Sequence, residues 1–223
     1  MAVDTERIHR HFFTFFHYPM ASFARTAAFV VGCLACTAGW SVGLAPQPNS
    51  ATATLLQRIQ STRGNQGRPF AILDKRLATL HVFAADGQER ATTPVLLGLA
   101  HGDTSVPGIG TRKIADILPQ ERTTPAGRFV TEPGVNAQNE DIVWIDYDAS
   151  VSMHRVRATV KSERRLERLA TPTPDDNRIS YGCVNVPTQF YDTYIQPVFG
   201  RAEGIVYILP ESTASKINTK NGF

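Results

Sequence analysis

Short runs of alternating apolar and polar residues make up most of this chain, and turn residues separate them. Leu77 and the run Thr79 to Ala84 lead into Asp86-Gly87 as a turn, after which Val95 to Leu99 follows. Ile142 to Asp146 and Val151 to Val156 flank Tyr147-Asp148 in the same way, and Gly204 to Leu209 adds a late apolar run. Runs of this length and period predict β-strands. Gly and Pro turns lie between them instead of long helices, which argues against a parallel doubly wound sheet and for a mainly β sandwich or barrel with a few short helices. Three stretches depart from that pattern. Thr54 to Gln60 reads as a short helix, Ser162 to Leu169 spaces Leu166 and Leu169 three apart, and Pro187 to Phe199 opens on proline and carries Phe190, Tyr191 and Tyr194 at helical spacing. These aromatics are expected to pack into the core.

Residues 1–45 follow a different pattern. Arg25 precedes a charge-free run from Ala27 to Trp40, and Ser41-Val42-Gly43-Leu44-Ala45 leads to Pro46. A basic residue, a short apolar core and then small residues is the layout of a secretory signal, for which Met20 is an alternative start. The apolar core falls short of the roughly 20 residues that a membrane-spanning helix needs. A retained N-terminal anchor is the other reading, and Val30-Val31-Gly32-Cys33 also resembles a lipid-attachment box. The expected organisation is a signal peptide or N-terminal anchor over 1–45, a linker and short helix over 46–74, one folded domain over 75–210 and a tail over 211–223. Export from the cytoplasm follows from the leader.

Composition narrows the functional classes. The 223 residues are 42% hydrophobic and 19% charged, as in an ordinary globular domain, and the net charge is only +3. Lys and Arg are scattered, with no basic stripe interleaved with aromatics, so nucleic acid is not an expected partner. Arg164, Arg165 and Arg168 read as a solvated helix face. Cleavage after Ala45 removes Cys33 and Cys36 and leaves Cys183 as the single thiol. An unpaired thiol in an oxidising compartment is either buried or used. His81, His101 and His154 are the histidines left; no Cys/His spacing completes a zinc site, so no metal is expected, and His101 reads as a loop residue.

Candidate chemistry concentrates in Arg178-Ile179-Ser180-Tyr181-Gly182-Cys183-Val184-Asn185-Val186-Pro187. Glycine before the cysteine, with proline and a helix soon after it, predicts a tight turn that exposes the sulfur and frees N–H groups for a developing oxyanion. The positive end of that helix would favour a thiolate. A free thiol is only a few per cent ionised at pH 7 and needs a base, for which His154 on the Val151 to Val156 strand is the candidate.

Taken in order, Arg122-Thr123-Thr124-Pro125-Ala126-Gly127-Arg128-Phe129, His154 and Ser180-Tyr181-Gly182-Cys183-Val184-Asn185 resemble the catalytic domain of bacterial L,D-transpeptidases, the YkuD-like family. That family carries a Thr-Pro-x-Gly-x-Phe element, then a histidine, then a Ser/Thr-His-Gly-Cys-hydrophobic-Asn/Arg motif. The likeness runs from about residue 75 to 210. It implies a β-rich YkuD-like fold and two-step acyl transfer on peptidoglycan stem peptides in the periplasm or envelope of a bacterium. Cys183 would be the nucleophile and His154 its general base, with the Gly182 and Cys183 N–H groups in the oxyanion hole. Ser180 and Asn185 would hold the turn, and Arg178 and Asp176 are candidates for binding a stem-peptide carboxylate or amine. The Thr124 to Gly127 run is expected to shape the cleft. No cofactor is implied, and carbapenem-type inhibitors are expected to acylate the sulfur. Two features depart from the family pattern. Tyr181 stands where a second histidine is usual, and the interval from His154 to Cys183 is long and holds the charged helix, which would serve as a lid or narrow substrate choice. Two other readings stay open: an L,D-carboxypeptidase or thiol amidase that uses water, and a non-catalytic wall-binding domain for which Tyr181 is the argument.

Overall fold

Strand β1 (Phe70–Asp74) is buried along its whole length. In the computed structural model, which describes residues 50–211, it lies at the centre of a five-stranded sheet. On one side it pairs in parallel with β11 (Ile205–Ile208), which pairs antiparallel with β5 (Gly127–Val130); on the other it pairs antiparallel with β2 (Thr79–Phe83), which continues to β3 (Glu89–Pro94). Alternate residues of a strand point to opposite faces. Ala71 and Leu73 therefore enter the main core, while Phe70 and Ile72 join a second cluster with Leu55 and Ile59 of helix α1 (Ala51–Thr62). The Phe70 ring stacks on Phe83 at 4.9 Å. Ser50 caps α1 by accepting the Ala53 N–H at 3.1 Å. The central strand lies ahead of residue 75, and a strand covered on both faces shows no alternation that would announce it. The leader expected in residues 1–45 and the tail beyond Glu211 lie outside the described residues.

The second sheet orders β10 (Val184–Val186), β8 (Val151–Arg155), β7 (Asp141–Asp146) and β6 (Glu132–Val135). Val143, Ile145, Val151, Met153, Val184 and Val186 of this sheet share one core with Leu80, Val82, Phe129, Val206 and Ile208 of the first. Two sheets over a common apolar layer make a β-sandwich, the mainly β class expected from the alternating runs. A short parallel pair, β4 (Leu97–Gly98) with β9 (Arg178–Ser180), lies beside them. Leu96 extends this connection by exchanging two 2.9 Å backbone hydrogen bonds with Asn185.

The helices differ in detail from the sequence expectation. The charged helix is shorter, a 3-10 turn at Lys161–Glu163 followed by α2 (Arg165–Ala170). The stretch after Pro187 is α3 (Thr188–Phe190), a π-helical turn (Tyr191–Ile195) and α4 (Gln196–Phe199). Tyr191 is fully buried in the main core, as the aromatic spacing predicts.

A buried ionic cluster ties loops to the end of β1. The Lys75 ammonium, 0% exposed, donates to the Gly102 and Thr124 carbonyls at 2.5 and 2.9 Å and to Asp103 at 2.8 Å. Arg178 donates to the Lys75 carbonyl at 2.8 Å and pairs with Glu211 at 2.9 Å, whose own N–H reaches Asp103 at 2.8 Å. Burial is the largest influence on Lys75 and lowers its pKa, against the pull of Asp103 and Glu211. Removing one member of such a cluster leaves buried carboxylate and carbonyl oxygens without a donor. Lys75→Met is expected to cost about 3–5 kcal/mol of folding stability, read from urea unfolding; a midpoint equal to that of the unmodified chain would contradict this account.

Candidate active site

Cys183 lies in the short connection between β9 and β10, which the side chains of Ser180, Asn185 and Thr124 hold at Gly182 and Cys183. The Ser180 hydroxyl donates to the Cys183 carbonyl at 2.6 Å and accepts the Gly182 N–H at 3.1 Å. The Asn185 amide donates to the same carbonyl at 3.3 Å. The fully buried Thr124 hydroxyl donates to the Gly182 carbonyl at 2.8 Å and accepts the Gly98 N–H at 2.9 Å. Gly182 adopts φ +129°, and a Cβ there would stand 2.9 Å from the Thr123 carbonyl oxygen. Only glycine fits that conformation and that approach. Thr124, in the turn expected to shape the cleft, thus braces the loop that carries the sulfur.

The register of the second sheet brings the candidate base to the thiol. The parallel pairing of β8 and β10 sets Val184 beside Met153 and Asn185 beside His154. Met153 and Val184 enter the core, so Ser152, His154 and Asn185 share the opposite face, where Cys183 precedes β10. His154 Nδ1 lies 2.7 Å from the Arg155 carbonyl, which can only accept, so Nδ1 carries the proton and Nε2 is left for the sulfur. The Cys183 sulfur, half-buried, is 3.6 Å from the Ser152 hydroxyl and 3.6 Å from the Ser150 carbonyl.

Electrostatics favour a charged pair. Burial is the strongest single influence on Cys183 and pushes its thiol up, but the hydrogen bond and charge of His154, with the N–H and hydroxyl of Ser152, bring it below the ordinary thiol value. At His154 burial is again the strongest influence and pulls the imidazole down, with the Arg165 charge adding to it; the hydrogen bond and charge of Cys183 and the Arg155 carbonyl outweigh both and raise it. The two groups titrate as a coupled pair, each shifted toward its charged form by the other.

Other expected site residues are placed differently. A three-residue strand separates Cys183 from α3, so the positive end of a helix is not what favours the thiolate. The Gly182 N–H is occupied by Ser180, which leaves the Cys183 N–H as the motif's candidate oxyanion donor. Arg178 is 6% exposed and committed to Lys75 and Glu211, so it holds the fold and is closed to substrate. Asp176 is exposed, and its carbonyl accepts Arg168 at 2.7 Å in the turn after α2. His101 sits 3.6 Å from both Asp175 and Glu211. Tyr181 is 37% exposed with the Arg122 guanidinium 3.9 Å above its ring, so a cationic stack occupies the motif position next to Gly182.

Two residues at the site have no anticipated role in the sequence reading. Ser152, 4% exposed, cradles the sulfur; its position two before His154 on one strand was the available signal. Arg165 was expected in solvent with Arg164 and Arg168, yet its side chain is 13% exposed and bonds Glu163 and Asn185.

Alkylation by iodoacetamide follows the thiolate, so the rate at Cys183 is expected to reach half its maximum at a pH below that of an ordinary cysteine. His154→Ala removes the contributions that lower the thiol and leaves burial, so the curve is expected to move to higher pH. Intact-mass kinetics across pH measure both, and coincident curves would refute the coupling.

No protein-family model matches the chain, and neither does any curated protein. Among solved structures it is similar to an L,D-transpeptidase from Mycobacterium smegmatis, at 15% identity over 64% of this chain and 58% of that one, with a TM-score of 0.36. It is also similar to the helical cell shape determining protein Pgp2 from Campylobacter jejuni, at 15% identity over 65% of this chain and 48% of that one, with a TM-score of 0.41. The chain thus spans about half the length of these two structures. The catalytic domain of the E. faecium L,D-transpeptidase is matched over 98% of its length and 64% of this chain, at 17% identity and a TM-score of 0.35. Several solved L,D-transpeptidase structures are therefore among those this chain is similar to.

Proposed function

We propose that this chain is an exported bacterial L,D-transpeptidase that takes an acyl group from a peptidoglycan stem peptide onto Cys183. The observation that carries the reading is the shared sheet face of His154 and Cys183, whose titrations are coupled toward a thiolate. The motif order in the sequence supports the substrate class, and the charge-free run Ala27 to Trp40 after Arg25 supports export to the cell envelope.

The chemistry follows from the geometry. His154 Nε2 takes the sulfur proton, and the thiolate attacks the carbonyl that joins a diamino-acid residue to terminal D-alanine. Negative charge gathers on the carbonyl oxygen, which accepts from the Cys183 N–H. As the tetrahedral adduct collapses, the carbon–nitrogen bond breaks, His154 returns the proton to the departing amine, and a thioester remains on Cys183. The amine of a second stem then attacks the thioester, loses its proton to His154 and leaves the sulfur as a thiolate. Ser152 holds the sulfur with its N–H and hydroxyl, and Ser180 and Asn185 keep the carbonyl of Cys183 turned away from the incoming group. Arg122 stacked on Tyr181 forms a wall of the cleft where the family motif has an imidazole.

Incubation with a tetrapeptide-stem muropeptide is expected to release D-alanine and add the tripeptide acyl mass to the protein. Cys183→Ala abolishes that adduct, and His154→Ala slows its formation about 10²- to 10⁴-fold. A cross-linked dimer marks an amine acceptor, and tripeptide alone marks hydrolysis, the carboxypeptidase outcome. A carbapenem is expected to give a covalent adduct that Cys183→Ala removes. Absence of any adduct from either reagent would overturn the enzyme reading in favour of a wall-binding domain.

A further inference from the structure

The interval between His154 and Cys183 reaches back to the site through one side chain. Arg165, the first residue of α2, donates through Nε to Glu163 at 2.7 Å and through Nη1 to the side-chain oxygen of Asn185. Asn185 is 1% exposed, is paired across the sheet with His154, and donates to the Cys183 carbonyl. The guanidinium charge is close enough to act on the His154 titration. Arg168 clamps the segment from the other side, donating to the Glu163 carbonyl at 2.8 Å and to the Asp176 carbonyl at 2.7 Å. Arg165 is thus held at two of its three nitrogens beside the candidate dyad, and its Nη2 has no protein partner among the described residues.

A guanidinium fixed in this way is prepared for an anion. Its rotamer freedom is already spent on Glu163 and Asn185, so a carboxylate that reaches the open nitrogen orders little more. Glu163 pairs with it through Nε, which leaves the rest of the fork to other acceptors, and α2 carries Glu167 and Arg168 beyond it. We propose that Arg165 is a specificity-determining residue that binds a carboxylate of the acyl donor next to Cys183. This assignment rests on the acyl-transfer reading and adds to it a demand on the donor: a free carboxylate near the scissile carbonyl. The charged insertion then acts as the part of the chain that selects the donor, and Arg165 is its point of contact.

The test compares two tetrapeptide stems that differ only at the C-terminus, free carboxylate against carboxamide, with thioester formation on the full chain followed by mass spectrometry. The unmodified protein is expected to prefer the carboxylate donor by about 10- to 100-fold in kcat/KM, the range of a charge-assisted hydrogen bond. Arg165→Gln is expected to bring the ratio near one by losing rate on the carboxylate donor. The carboxamide donor reports whatever the lost charge does to His154, so the ratio isolates recognition. Arg165→Lys keeps the charge without the fork and is expected to give an intermediate ratio, which decides the matter alone should Arg165→Gln not fold. Equal slowing of both donors, or an unchanged ratio in the lysine and glutamine variants, would overturn the assignment and leave Arg165 a packing residue. If neither donor acylates the unmodified chain although iodoacetamide labels Cys183 rapidly, the acyl-transfer reading itself fails and this assignment fails with it.

Discussion

The parallel pairing of β8 with β10 is the constraint on which the site depends. Because side chains alternate across a strand, one register decides two matters together: Met153 and Val184 go into the core, and His154 and Asn185 come out on the other face. A one-residue slip of β10 would turn Asn185 into the hydrocarbon and Val184 out of it, and the same slip of β8 would do so with His154 and Met153. The apolar layer built from Val151, Met153, Val184 and Val186 therefore enforces the position of the candidate base as strongly as it holds the sandwich together. Stability and chemistry are carried by the same few residues, read from opposite sides of one sheet.

Burial acts on two ionisable groups of this fold with different results. At Lys75 it prevails, and the ammonium is kept in place only because two carbonyls and Asp103 surround it. At Cys183 the same influence is overcome, since a partly charged imidazole and the donors of Ser152 sit on the sulfur. The difference is one of purpose in the geometry. Lys75 faces two carbonyls and the Asp103 carboxylate, while Cys183 faces an imidazole whose hydrogen bond and charge draw it down.

Much of this was legible in the sequence, and what was not has identifiable causes. The alternation in Thr79 to Ala84, Ile142 to Asp146 and Val151 to Val156 announced β2, β7 and β8, whose alternate apolar residues enter the main core. Phe70–Asp74 escaped notice because α1 covers its second face and removes the polar half of the pattern. The edge strand Glu89–Pro94 failed for the opposite reason, being polar on most of its length. Three-residue strands such as Val184–Val186 are too short for periodicity, and missing this one led to a helix end being set beside the sulfur. Cys183 and His154 could be named from residue chemistry and motif order, but the fate of individual arginines could not. Arg178 and Arg165 look alike in sequence; one is locked into the buried cluster around Lys75 and the other leans onto Asn185, and only the fold distinguishes them.

The close approach of Gly182 to Thr123 has a wider meaning. A Cβ on Gly98 would meet the Arg122 carbonyl at 2.4 Å, so two glycines press against the same short segment, one from β4 and one from the β9–β10 connection. That wedge limits how far the backbone at Cys183 can move while the framework stands. The stretch between β8 and β9 reaches Asn185 through the Arg165 side chain. That stretch can therefore vary in length and charge while the backbone beside Cys183 keeps its place.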